Sequence, residues 1–272
     1  SFEKWYGTTT YRWFLKRNVS NEYAKRKING TYRWKVEKMS VLEIKNLSKK
    51  YGNKQALKDV SFTAEKGEVI GLLGPNGSGK TTLIKILAGI IKKYEGEVKI
   101  DSHNVNYKTK EFVSYLPDRF FLDPNLTIAQ TQALFEDFYS DFDGEKFTSF
   151  IEQMSLDKKM KISNLSKGMT EKLNLALVLS RHAKLFIIDE PIAGVDPVAR
   201  EQILDAIIDN IDPDSTLVIT THLVRDIERI FDRVIMLNKG SVELNDSVEN
   251  LRSTYNKGIE DVYKQIFGGH HA

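Results

Sequence analysis

The sequence predicts an α/β fold built on a mostly parallel sheet, with a small antiparallel sheet beside it and a helical insertion. Three observations lead there. First, Glu68-Val69-Ile70-Gly71-Leu72-Leu73 reads as a buried strand that breaks into Gly74-Pro75-Asn76-Gly77-Ser78-Gly79-Lys80-Thr81-Thr82 and then into the helical stretch Leu83-Ile84-Lys85-Ile86-Leu87-Ala88. Second, Lys184-Leu185-Phe186-Ile187-Ile188-Asp189-Glu190-Pro191 is apolar without alternation, as a central parallel strand covered on both faces is, and it ends in two carboxylates. Third, strand and helix patterns alternate after it: helix 197–210, strand 216–220, a helix near 223–230 and strand 233–237. Such βαβ alternation places ligands at the carboxyl ends of the strands.

The remaining elements fall around that core. Val41 to Leu47 and Ala56 to Phe62 alternate in part, like half-buried antiparallel strands, with Tyr51-Gly52-Asn53 turning between them. Tyr51 is there either to stack on a base or simply to pack. Residues 96–100 and 112–116 read as further strands. Thr127-Ile128-Ala129-Gln130 has the form of a capping box, and Leu134, Phe135 and Phe138, then Phe147, Phe150, Ile151 and Met154, recur at helical spacing. Residues 119 to about 181 therefore form the helical insertion, and Ile259, Val262, Tyr263, Ile266 and Phe267 make a last amphipathic helix. The His270-His271 end is too short for a metal site.

Composition narrows the function classes. The chain has 272 residues, 41% of them hydrophobic, enough for a packed core, and no cysteine, which excludes a disulfide scaffold, a thiolate metal site and a cysteine nucleophile. No run approaches about 18 apolar residues, and no basic segment followed by an apolar one opens the chain. If the protein works at a membrane, another protein crosses it. The net charge of +3 is uneven, because residues 1–38 hold ten Lys or Arg against three acids, about +7, leaving 39–272 at about −4. Trp5, Trp13 and Trp34, the repeat Thr10-Tyr11-Arg12-Trp13 and Thr31-Tyr32-Arg33-Trp34, and the hairpin signal Asn29-Gly30 all lie in that segment. Basic residues among aromatics suit nucleic acid, an anionic membrane or an acidic partner. The favoured reading is an extension at 1–38 with no part in the chemistry, a domain at 39–272, and no nucleic-acid partner.

The chemistry that these residues suit is phosphoryl transfer. Glycines at 74, 77 and 79 let backbone N–H groups turn inward around phosphates, and the helix starting near Lys80 adds its positive end. Lys80 reaches the β- and γ-phosphates, and the Thr81 hydroxyl holds Mg²⁺. Asp189 binds Mg²⁺ directly or through water, and Glu190 polarises the attacking water as general base. His222, after Thr220-Thr221 at a strand end, contacts the γ-phosphate or Glu190. Leu165-Ser166-Lys167-Gly168-Met169 opens a helix with a hydroxyl and a glycine, either a second phosphate site or an ordinary cap.

These motifs, in this order across about 41–267, resemble the ATP-binding subunits of ABC transporters. The resemblance implies a P-loop NTPase core of RecA type, with ATP and Mg²⁺ as ligands. It makes Tyr51 the adenine-stacking aromatic, 74–82 the Walker A loop and 185–190 the Walker B strand with its catalytic glutamate. Ala193-Gly194-Val195-Asp196 becomes the D-loop and His222 the switch histidine, and Leu165 to Met169 is similar to the family's L-S-G-G-Q signature, with Ser166 and Gly168 on phosphate. Three residues depart from the pattern. Lys167 and Met169 stand where glycine and glutamine are usual, and Asp118, after Tyr115-Leu116-Pro117, stands where the family has glutamine near Mg²⁺ or its water; aspartate is shorter, charged and unable to donate when ionised. The departures look like a bacterial branch that pairs with separate integral membrane permeases and exports peptides, antibiotics or lipids from the cytoplasmic face. The implied mechanism is a head-to-tail dimer, with a second copy or another ABC ATPase subunit, in which Lys80 of one subunit and Ser166 of the other clamp the same ATP. A soluble ABC ATPase acting in assembly is the alternative.

Overall fold

The computed structural model describes residues 23–28, 31–36, 40–119 and 122–268. Strands β1 (Tyr23–Ile28) and β2 (Thr31–Val36) pair antiparallel with Ile28 opposite Thr31. Asn29-Gly30, the Thr10 to Trp13 copy of the repeat and the terminal histidines lie outside the described residues.

Strands β3 (Ser40–Tyr51) and β4 (Lys54–Glu65) form the expected antiparallel pair around Gly52-Asn53, both longer than the alternation alone indicated. The chain then runs through β5 (Val69–Leu73) into helix α1 (Lys80–Leu87) and returns as β6 (Glu95–Ile100) and the short β7 (His103–Asn104). The antiparallel sheet has the order β4-β3-β6-β7. Strand β8 (Val113–Leu116) leads to the insertion, helices α2 (Ile128–Phe138), α3 (Gly144–Gln153) and α4 (Lys167–Leu179). Then follow β9 (Leu185–Asp189), α5 (Pro197–Asn210), β10 (Thr216–Thr220), α6 (Val224–Ile227), β11 (Arg233–Asn238), β12 (Ser241–Ser247), α7 (Val248–Tyr255) and α8 (Ile259–Phe267). The large sheet runs β12-β11-β5-β10-β9-β8, parallel except for β12 at one edge.

Period-two burial sorts the molecule into layers. Ile70 and Leu72 of β5, Leu185 and Ile187 of β9, Val218 of β10 and Ile235 and Leu237 of β11 face a core shared with α1 and the antiparallel sheet. Their neighbours Val69, Leu73, Phe186, Ile188, Leu217, Ile219, Val234 and Met236 face a second core shared with α4, α5, α7 and α8. Strands buried on both faces are why these runs carry no alternation. The capping box forms as expected: Gln130 Oε1 accepts from the Thr127 N–H at 2.9 Å and Thr127 Oγ1 from the Gln130 N–H at 3.2 Å.

Helix α4 anchors the insertion, with every residue from Leu173 to Leu179 buried. Just beyond it the buried Arg181 guanidinium donates to the carbonyls of Lys110, Glu111 and Val113, pairs with Asp141 and stacks on the Tyr139 ring, tying the insertion to the start of β8. Two stretches differ from the sequence reading. The helix near 223–230 breaks into α6 and a 3₁₀ turn at Glu228–Ile230, because the buried residues Val224, Ile227 and Ile230 recur every three positions, the 3₁₀ repeat. Strand β12 and helix α7 carry too little apolar pattern to be read locally.

Candidate active site

The parallel register decides where the chemistry collects. Thr220, the last residue of β10, pairs with Leu72 of β5 on one side and with Asp189 of β9 on the other. The ends of three strands therefore meet at one rim, although they are far apart in sequence. Above them lies a cleft of about 810 Å³ lined by Tyr51, Asn76, Gly77, Gly79, Lys80, Thr81, Thr82, Asp118, Asp189, Glu190 and His222.

The loop from Gly74 to Gly79 is shaped by its glycines. Gly79 is the N-cap of α1 at φ 111°, and a Cβ there would come within 2.6 Å of the Ala56 carbonyl oxygen. Gly74 is likewise pressed against the Leu237 carbonyl. No side chain caps α1, whereas Thr127, Asp143, Ser166, Asp196 and Ser247 cap α2, α3, α4, α5 and α7. The first N–H groups of a helix have no acceptor within it, so an uncapped N-terminus in a cleft is built to receive an anion. The Ser78 hydroxyl agrees with this, being buried without a hydrogen-bond partner. Lys80 lies back over its own loop and donates to the carbonyls of Gly74 at 2.7 Å and Pro75 at 3.2 Å. Burial pushes its ammonium below the usual lysine range, with Glu190 and Asp189 acting the other way.

Opposite stand the acids. Burial pushes the Asp189 carboxyl up, the Asp118 charge adds to this, and the Thr220 hydroxyl, which donates to Asp189, works against it. Glu190 has φ 54°, a left-handed conformation uncommon for a non-glycine residue and typical of strained functional positions. Its Oε2 accepts from the His222 backbone N–H at 3.2 Å and from ring Nδ1 at 2.9 Å. Of the two contacts read from the sequence for His222, this chain makes the one to Glu190. A carboxylate facing Nδ1 puts a ring proton there.

Tyr51 is 48% exposed at the cleft edge, with the Lys49 ammonium 4.8 Å from its centroid. Ser166 and Gly168 do not line this cleft. Ser166 caps α4 by accepting from the Met169 N–H at 3.3 Å. Lys54, Lys85 and Arg119 also line the cleft and had no distinguishing signal in the sequence. Among the described residues no three His, Asp or Glu side chains converge as a metal cage. A donor set of the Thr81 hydroxyl and the Asp189 and Asp118 carboxylates nevertheless fits Mg²⁺, which keeps its waters and takes one or two carboxylates together with substrate phosphates.

The family model for ABC transporters matches residues 57–193. An ABC transporter ATP-binding protein of Bacillus subtilis (strain 168), YdbJ, is 35% identical over 231 residues, covering 83% of this chain and 75% of its own. This chain belongs to the ABC transporter ATP-binding family. The linearmycin resistance ATP-binding protein LnrL of Bacillus subtilis (strain 168) is 30% identical, covering 74% of this chain and 68% of its own. A solved ATP-binding subunit of an ABC transporter shares the fold at a TM-score of 0.75, with 24% identity, 83% of this chain and 98% of that one covered. The cassette MJ0796, solved as a dimer in a post-hydrolysis state with ADP and Pi, superposes at 0.67 with 25% identity, covering 76% of this chain and 98% of its own. The fold is thus that of a P-loop ABC ATPase, and the activity is ATP hydrolysis by a nucleotide-binding domain.

Proposed function

We propose that this ABC ATPase works as a head-to-tail dimer, with a second copy or another ABC ATPase subunit, and powers a separate integral membrane permease from its cytoplasmic face. The observation that carries the reading is that the two segments the family resemblance puts on phosphate, the 74–82 loop and Ser166 to Gly168, do not meet in one chain. Helix α1 opens into the Lys80 cleft, and the Ser166 end of α4 lies outside it. A second subunit turned head to tail brings the two together on one ATP.

Within that arrangement Tyr51 stacks on the adenine and the 74–82 loop wraps the phosphates. Lys80 exchanges its two loop carbonyls for phosphate oxygens, a transfer eased by its being held there by neutral acceptors. Thr81 and Asp189, with Asp118, would hold Mg²⁺, which when bound offsets charge on the phosphate oxygens. Glu190 takes the proton of the attacking water, and His222 fixes the carboxylate through its ring and its backbone N–H. Ser166 and Gly168 complete the phosphate shell from the partner. ATP joins the subunits, hydrolysis releases them, and closure and ATP affinity favour each other equally.

The permease contact fits the insertion. Leu122, Leu126, Leu134, Phe135 and Phe138 line a groove of about 360 Å³ beside α2, and Phe138 is 78% exposed. Among the described residues no helix is long and apolar enough to cross a membrane. Export of a peptide, antibiotic or lipid is supported by the likeness to the linearmycin resistance protein. Affinity capture of the tagged full chain from detergent-solubilised membranes, with mass spectrometry, tests the reading. A multi-spanning permease is the expected result; only soluble partners would replace transport by a role in assembly.

A further inference from the structure

Two of the three residues that depart from the family's pattern, Asp118 and Lys167, carry opposite charges, and of these only Asp118 lines the Lys80 cleft. Asp118 is exposed in the Lys80 cleft, where two more carboxylates, Asp189 and Glu190, face the same space. It has no ion-pair partner among the described residues of its own chain. A carboxylate has two oxygens, so an Asp118 that holds Mg²⁺ through one leaves the other to accept from a further cation. Lys167, the first residue of α4, is exposed and lines no part of that cleft. Its ammonium lies over Gly194, in the space a Cβ there would fill, and the carboxylate that feels its charge within the chain is Glu171, one turn along α4, on which the Asp118 charge also acts more weakly. Lys167 is thus a cation at the leading edge of the segment that faces the partner.

On the head-to-tail reading, Ser166 of the partner touches the ATP held by Lys80, so the residue after it arrives at the rim where Asp118 stands. Resting on that reading, we infer that Asp118 of each subunit pairs with Lys167 of its partner across the shared nucleotide. Each symmetric dimer then contains two copies of the pair. The pair makes closure sensitive to partner identity, since a subunit with the family's usual glutamine and glycine offers neither charge.

Charge reversal with mixing separates a contact between subunits from one within a chain. In the Glu190→Gln background, Asp118→Lys and Lys167→Asp each oppose like charges at both copies, and ATP-dependent dimerisation measured by sedimentation is expected to weaken at least about tenfold. Each variant is examined at its own saturating ATP concentration, determined with a fluorescent analogue. Mixed one to one, the two variants form heterodimers in which both contacts again join a carboxylate to an ammonium, and dimerisation returns to within about threefold of the parent. A contact made within one chain cannot be restored by mixing. A mixture no tighter than either variant, or variants that dimerise like the parent, overturns the pair. The neutral changes Asp118→Asn and Lys167→Met give a second test, in which the double variant loses no more than either single and additive losses overturn the pair. Failure of the Glu190→Gln parent to dimerise with ATP removes the head-to-tail reading itself and the pair with it. A parent dimer with an unrescued mixture removes only the pair.

Discussion

Replacing Glu190 by glutamine tests the proposed base with the least disturbance to its surroundings. The carboxylate oxygen Oε2 holds the His222 backbone N–H at 3.2 Å and ring Nδ1 at 2.9 Å. Glutamine is the same size and keeps an oxygen that can accept the backbone N–H, so the turn after β10 and the φ 54° backbone of residue 190 have no reason to move. What it cannot do is take a proton from water. Loss of a positioned general base costs about 10² to 10⁴ in rate, equivalent to about 3–5 kcal/mol at 1.36 kcal/mol per decade. Single-turnover ATP cleavage should fall by that factor, while binding of a fluorescent ATP analogue stays within about twofold. The protein should also accumulate as an ATP-bound dimer. A rate loss under about tenfold would refute the assignment and leave the proton to another acceptor, with His222 the nearest candidate.

Other expectations follow from the same geometry. Gly79→Ala meets the Ala56 carbonyl at 2.6 Å in a left-handed conformation, so urea unfolding should show a loss of about 2–3 kcal/mol; an unchanged midpoint would mean that the loop is not pressed against β4. Arg181→Met strands three carbonyls and Asp141 and should cost about 3–5 kcal/mol by the same measurement. Asp189→Asn concerns pH. Burial raises the Asp189 carboxyl above its ordinary 3.8, so the folded state holds that proton more tightly than the unfolded state and the ionised group destabilises the fold at neutral pH. The variant should therefore melt higher than the parent at pH 7 without nucleotide, and the difference should fade as pH falls through the folded-state value towards 3.8. A difference that grows towards acid would reverse the sign of the argument. Phe138→Asp, at a position 78% exposed, should abolish permease capture while leaving the ATPase rate of the isolated chain unchanged.

How legible the site was depended on how local its parts are. Gly74 to Thr82, the apolar run ending in Asp189-Glu190 and the helix cap at Ser166 each announce themselves within ten residues, because a phosphate loop, a doubly covered strand and a cap are all short-range devices. Thr220 as the hydrogen-bond partner of Asp189 was not legible, since 31 residues separate them and only the β9-β10 register joins them. Lys54, Lys85 and Arg119 were silent for a different reason, as a lysine or arginine in a polar stretch looks the same whether it faces solvent or a cleft.

By itself, then, the sequence determined the kind of fold and its chemistry. Periodicity set the strands that are buried on both faces, and the order of motifs set a nucleotide-hydrolysing class. Tertiary structure alone decided the strand order β12-β11-β5-β10-β9-β8 that gathers three strand ends on one rim, the engagement of His222 with Glu190, the placement of Lys80 on its own loop, and the separation of Ser166 from the cleft. Those depend on which segments, tens of residues apart, share a core, and side-chain pattern carries that only weakly: an apolar strand face specifies burial but not the neighbour that buries it.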